Sequence, residues 1–152
     1  VALMPFPGTT VIPAGWAAHH KPVTEGAMGA TCRITTGGAG GWDPGTGATG
    51  PGAETVLYEG KCRIQAQATT PTTGDAAGQL VTQHTYLVVI TADAPVIPTG
   101  DAGAKVRILT VDANGDSALP GRTLTVSDAR YSSLRWERDL TCIDDHTNQE
   151  AS

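Results

Sequence analysis

Charge, aromatic rings and sulfur are all scarce in this chain. Charged residues make up 16% and aromatics 5% of its 152 positions, so the core cannot rest on stacked rings. Val, Ile and Leu must fill it, which favours thin, strand-based layers. Basic residues are in deficit, 10 against 15 acidic ones for a net charge of -5; a protein that holds nucleic acid by neutralising phosphates needs the opposite balance. The same deficit suits a wall past which DNA slides without sticking. No apolar run approaches the roughly 18 residues of a membrane span, and the first residues lack a basic segment followed by an apolar one. The expected place is the cytosol, or a particle assembled there. The three cysteines, Cys32, Cys62 and Cys142, are odd in number and widely spaced. They make neither a disulfide framework nor a CxxC metal site, and are expected as reduced, buried small side chains.

What is abundant is Gly, Ala and Thr, arranged as one domain over residues 1–152. Residues 1–26 read as an N-terminal arm and short helix. Pro5, Pro7 and Gly8 keep Val1 to Thr10 extended, with Phe6 its one aromatic contact. Ile12 to His20 is predicted as the helix, with Trp16 on one side and Lys21-Pro22 as its stop. Residues 27–152 read as an all-β antiparallel barrel or sandwich of about six strands. Alternation marks Gly29 to Thr36 and Val56 to Ala68, the latter with Gly60 as the expected bulge. Gln79 to Thr91 holds Tyr86-Leu87-Val88-Val89-Ile90, dense enough for a strand buried on both faces at the centre of the sheet. Lys105 to Val111, Gly121 to Val126 and Leu134 to Ile143 complete the set, with Asn114-Gly115 as a turn.

Two segments have almost nothing to bury and are expected as long loops. One is Gly37 to Ala53, with Trp42, Asp43, Thr46 and Thr49; the other is Thr69 to Gly78, with Thr70, Thr72 and Asp75.

Four patterns resemble chemistry and lose to simpler readings. Gly45 to Gly50 spells GxGxxG, yet it lies in a Gly-rich loop and Pro51-Gly52 stands where a dinucleotide site needs its helix. Asp112-Ala113-Asn114-Gly115-Asp116 opens like a calcium loop, but the twelfth position is Thr123 rather than Glu, so a turn explains it. His19, His20, His84 and His146 show no ligand spacing; only a folded cluster of His19, His84 and Cys62 would make a metal site. Neither Ser127-Asp128 nor Ser132-Ser133 sits in a nucleophile elbow. The expectation is a non-enzyme with no catalytic residue, cofactor or metal.

The C-terminal segment is the most informative. On a strand, Trp136, Arg138, Leu140 and Cys142 share one face, while Arg135, Glu137, Asp139 and Thr141 share the other. The first face packs inward, with Arg138 expected to be paired wherever it is buried. The second offers alternating charge to a neighbour or keeps an edge strand soluble.

The run from Thr85 to Asp144 resembles the C-terminal half of head-to-tail stopper proteins of long-tailed actinobacteriophages. The residues that carry the likeness are the Asp93-Ala94 and Gly100-Asp101 turns, Gly121-Arg122 to Asp128, and Arg135-Trp136-Glu137-Arg138-Asp139-Leu140. Pro13-Ala14-Gly15-Trp16 and the His19-His20 pair fit the same group. The resemblance implies a small β-barrel that forms a homo-oligomeric ring at the neck of the virion. A portal or adaptor ring would lie on its head side and the tail tube or tail terminator on its tail side, with genomic DNA held back without sequence-specific binding. Gly37 to Ala53 or Thr69 to Gly78 would supply the plug. Phe6, Trp16, Arg130, Arg135, Trp136, Glu137, Arg138 and Asp139 are the expected contacts with neighbouring subunits and rings. The rivals are another neck component, a β module binding carbohydrate or a cell surface through Trp16 and Trp42, and an undetected metal-dependent enzyme.

Overall fold

Strand-period alternation becomes a closed wall in the computed structural model, which describes residues 12–38, 40–50, 52–67, 72–76, 79–100, 103–133 and 135–144. Among these residues one helix, α1 (Trp16–Gly26), precedes seven strands: β1 (Ala30–Gly37), β2 (Glu54–Ala66), β3 (Thr72–Ala76), β4 (Gln79–Thr91), β5 (Lys105–Val111), β6 (Thr123–Arg130) and β7 (Glu137–Asp144). The sheet runs β2-β1-β5-β6-β7-β4-β3, and an additional β2–β4 pairing closes six of the strands into an antiparallel barrel. Closure depends on the length of β2. Its residues Glu54 to Cys62 pair with β1, and Cys62 to Ala66 pair with β4. A closed wall leaves the six barrel strands no unpaired edge over these spans.

Alternate residues of each strand fill the interior. Ile34, Ile90, Ile108, Leu124, Leu140 and Val126 are all fully buried there, each contributing roughly 1.5–3 kcal/mol of transfer free energy. The central strand is buried on both faces, as its composition predicts: Val88 and Ile90 belong to the interior cluster, and Val89 is equally buried outside it. All three cysteines are free and buried, and they meet in that same interior. Cys32 lies within hydrogen-bonding reach of Cys62, and this contact together with burial raises its pKa far above the ordinary thiol value. Burial, with the Cys62 thiol nearby, pushes Cys142 up to about 12.

The helix differs from its sequence expectation. It begins at Trp16 rather than Ile12 and runs through Pro22 to Gly26. The proline removes one backbone donor, and contacts from the turns before it hold the helix to the barrel. Trp16 meets Trp136 edge to face with ring centroids 4.6 Å apart, and Lys21 pairs with both Asp93 and Glu25. The expected bulge at Gly60 is a second correction. The β1–β2 register slips between Ile34 and Thr35, where Tyr58 and Val56 are their partners, so the extra residue is Leu57.

A third correction concerns Thr69 to Gly78, expected as a loop. Thr72–Ala76 forms β3 and pairs with Gln79 to Gln83 of β4. Its composition is poor for a strand, but β4 supplies a full ladder of backbone partners. Because β7 meets β4 only from His84 onward and β2 only from Tyr86, this two-stranded ribbon runs about 17 Å past the barrel wall.

Candidate interaction surface

Strand direction sorts every connection to one of two ends. At the first, the loop end, lie the β1–β2 loop (38–53), the β4–β5 connection (92–104) and the β6–β7 connection (131–136). At the other, the mouth end, lie the β3–β4 ribbon, the β5–β6 turn (112–122) and the short run from α1 into β1. The two segments expected as plug candidates therefore leave the barrel in opposite directions.

The β1–β2 loop is folded on itself. Trp42 and Thr49 form an isolated antiparallel bridge, and the Asp43 carboxylate accepts bonds from the Gly45 amide (2.8 Å) and the Thr46 hydroxyl (3.1 Å). These donors hold the Asp43 pKa below the ordinary carboxylate value. Gly37 starts the loop with φ +89, and a Cβ there would stand 2.5 Å from the Ala53 carbonyl oxygen, so only glycine fits. The bridge and the Asx turn present the Trp42 indole, 66% exposed, on a constrained tip. Val56, Val96 and Tyr131, also exposed, stand on the same end.

Arg138 ties the loop end together. Its guanidinium donates to the carbonyls of Ala94, Pro95 (2.6 Å) and Ala92 (3.2 Å) and lies over the Tyr131 ring, 4.8 Å from its centroid. The Tyr131 hydroxyl in turn accepts from the Ile97 amide at 3.0 Å. Arg138 is paired, as expected of a half-buried cation, but with carbonyl oxygens instead of a carboxylate. Beside it a polar hollow of about 170 Å³ is lined by Arg130, Arg135, Glu137, Ser132 and Ser133.

The other expected interface residues are largely engaged within the chain. Arg135 pairs with Asp139 at 2.9 Å, Glu137 with Arg63 at 3.7 Å, and Arg130 with Asp128 at 3.5 Å. Trp16 and Trp136 pack on each other with His20 stacked alongside. Phe6 and Thr70 lie outside the described residues, and Thr72 and Asp75 fall in β3. The His19–His84–Cys62 cluster does not come together. Cys62 is interior while His19 and His84 are exposed, and among the described residues no group could hold a metal ion.

The mouth end carries a feature that sequence reasoning missed, a cavity of about 450 Å³. Ile64, Ala66, Tyr86 and Leu119 give it apolar walls, and Asp112, Asn114 and Asp116 form one rim. The calcium-like spelling is a turn: Asp112 accepts from the Asn114 amide and Asp116 from the Ala118 amide, each at 2.9 Å. Among the described residues neither carboxylate has a basic partner.

The model of a family of unknown function, DUF6093, matches residues 20–143. No curated protein and no solved structure matches the chain.

Proposed function

We propose a function for a chain that belongs to the DUF6093 family: it is a subunit of a head-to-tail stopper ring, which closes the DNA channel of a packaged long-tailed phage and docks the tail. The observation that carries this reading is the β3–β4 ribbon, which leaves a rigid closed barrel and reaches past its last barrel pairing. A hairpin of that length on a small barrel is suited to crossing an axis shared by several copies. The ribbon is therefore the gate, and the β1–β2 loop, braced by its own turn and at the opposite end, is a contact surface. The net charge of -5 fits a channel wall that repels the phosphate backbone. Portal or adaptor rings and the tail tube or terminator are the partners, and the virion neck is the location.

A reconstruction of the portal vertex tests this. The expected result is a symmetric ring of this chain between adaptor and tail, with ribbons pointing to the axis. Ribbons pointing outward would remove the gate assignment, and absence of the chain from the vertex would remove the stopper reading.

One observation favours a second reading, a glycan-binding module: Trp42 is exposed on a constrained loop beside Asp43, as a stacking platform requires. Trp16, the other ring expected for such a platform, is covered by Trp136. Saturable binding of oligosaccharides that is lost in Trp42→Ala would favour the module over the ring subunit.

A further inference from the structure

The net charge of -5 hides a local surplus of the opposite sign. On the outer face of the barrel, every exposed side chain of β1 and β5 is Arg, Lys or Thr: Arg33, Lys105, Arg107 and Thr110. The β1–β5 register sets Arg33 directly opposite Arg107 and Lys105 opposite Thr35. On the other flank of β1, the exposed Lys61 of β2 stands opposite Thr31. Alternation turns all of these outward, because Cys32, Ile34, Cys62, Val106 and Ile108 between them are interior. Four cations therefore share a strip about 13 Å long and about 10 Å wide.

Little within the chain neutralises the strip. Arg33 donates to Glu59 at 2.7 Å, and Glu54 adds a weaker attraction. Among the described residues, Lys61, Lys105 and Arg107 have no acidic partner. Like charges directly across a strand pair repel; Glu59 relieves Arg33 alone, and an anion laid over the strip would relieve Arg107 as well.

The make-up of the strip selects the class of anion. A protein partner needs an apolar or aromatic centre to desolvate, a membrane surface needs apolar side chains to insert, and a single strand needs rings to stack on. The exposed positions of β1 and β5 offer none of these. Arg, Lys and Thr are side chains that contact phosphate oxygens. The Thr31 and Thr110 hydroxyls meet at 2.6 Å, so one donates to the other and the second keeps its proton for an outside acceptor. We infer that the β1–β5 face, with Lys61, is a contact for the phosphate backbone of a nucleic-acid duplex, made without regard to base sequence. A duplex carries one negative charge per roughly 1.7 Å of its axis, enough to meet every cation of the strip. The acidic surplus elsewhere keeps the duplex from other surfaces. Within the stopper reading the strip is where the retained genome touches the subunit, but the contact does not require a ring.

Binding of the full chain to a short labelled duplex, measured across a salt series, tests the contact. Three unpartnered cations predict a slope of about -2.7 in log affinity against log salt, or a loss of about twentyfold for a threefold rise in salt. The double variant Lys105→Gln, Arg107→Gln should reduce that loss to about threefold. Glu59→Gln frees Arg33 and should act in the opposite direction, with tighter binding and a slope of about -3.6. Lys21→Gln, which removes a cation from α1, should leave the slope unchanged. No duplex binding, a slope the double variant leaves unchanged, or binding to polyglutamate or phosphatidylserine vesicles in place of the duplex overturns the inference. The two readings fail separately. A ring at the portal vertex whose subunits bind no duplex through this face removes the inference and keeps the stopper; the predicted slopes from a chain absent at the vertex keep the contact and remove the stopper.

Discussion

The interior of the barrel and the helix on its outer wall are held by different physics. Inside, ten or more side chains are sealed by six strands, and stability is shared among many contacts. Outside, α1 contains no buried residue, has no side-chain cap and carries a proline in its seventh position; an aromatic stack and Lys21 fasten it. The barrel should therefore unfold as a unit while the helix opens on its own, because opening free energy follows local burial.

The strongest way to break that contrast is to make a cavity inside. Leu140 is fully buried, and Leu140→Ala is expected to cost about 2–5 kcal/mol in urea unfolding. The thiols probe the same interior through pH. Burial raises Cys142 from 9.0 to about 12, so an unfolded chain releases that proton at lower pH than the folded one. The stabilisation is complete below pH 9 and disappears between pH 9 and 12 as unfolding becomes linked to proton release, at about 1.4 kcal/mol per pH unit per thiol. Denaturant midpoints that stay flat across that window would contradict a sealed interior. At pH 8 a disulfide reagent should label none of the three cysteines until the barrel unfolds.

Arg138 sharpens the comparison at the boundary between interior and surface. Its three carbonyl bonds tie the β4–β5 connection to β7. Arg138→Met keeps the apolar stem and removes the donors, so a loss of roughly 1.5–3 kcal/mol is expected, with faster amide exchange confined to residues 92–97. Gly37→Ala acts at the same end. Its positive φ and the nearby Ala53 carbonyl predict a cost of roughly 1–3 kcal/mol, read as a lowered thermal midpoint. A neutral outcome for either variant would mean that the loop end is as loosely attached as α1.

The interior was legible in the sequence and the outer attachments were not, for one reason. Strand alternation is a local signal, which is why Gln79–Thr91 and Lys105–Val111 match their expected bounds residue for residue. What lies outside the local pattern depends on distant partners. β3 is a strand because β4 offers it a ladder, β2 closes the barrel by changing partner at Cys62, and Leu57 bulges because of its pairing across β1. Trp16 and Trp136 were both singled out as surface contacts, but nothing local told that they contact each other. Arg138 was half legible: its need for a partner follows from its place on the inward parity of β7, while the carbonyls that satisfy it come from a turn more than forty residues away. The mouth cavity was hidden for the same reason, since its walls come from β2, β4 and the β5–β6 turn.

The smallest global effects belong to α1, and they test the contrast most sharply because two variants should move the helix in opposite directions. Trp16→Ala removes the stack on Trp136 and His20, a contact worth about 0.5–1.5 kcal/mol beyond its buried area. Amides of Trp16–Gly26 should then exchange sooner while those of β4 and β7 keep their protection. Pro22→Ala restores a backbone donor inside the helix and removes a residue that costs about 3 kcal/mol in a helix interior, so the same amides should exchange later. If the barrel's unfolding midpoint shifts in step with the helix in both variants, α1 belongs to the cooperative unit. If it stays fixed while helix protection falls and rises, the helix is a separately opening element on a barrel that stands without it.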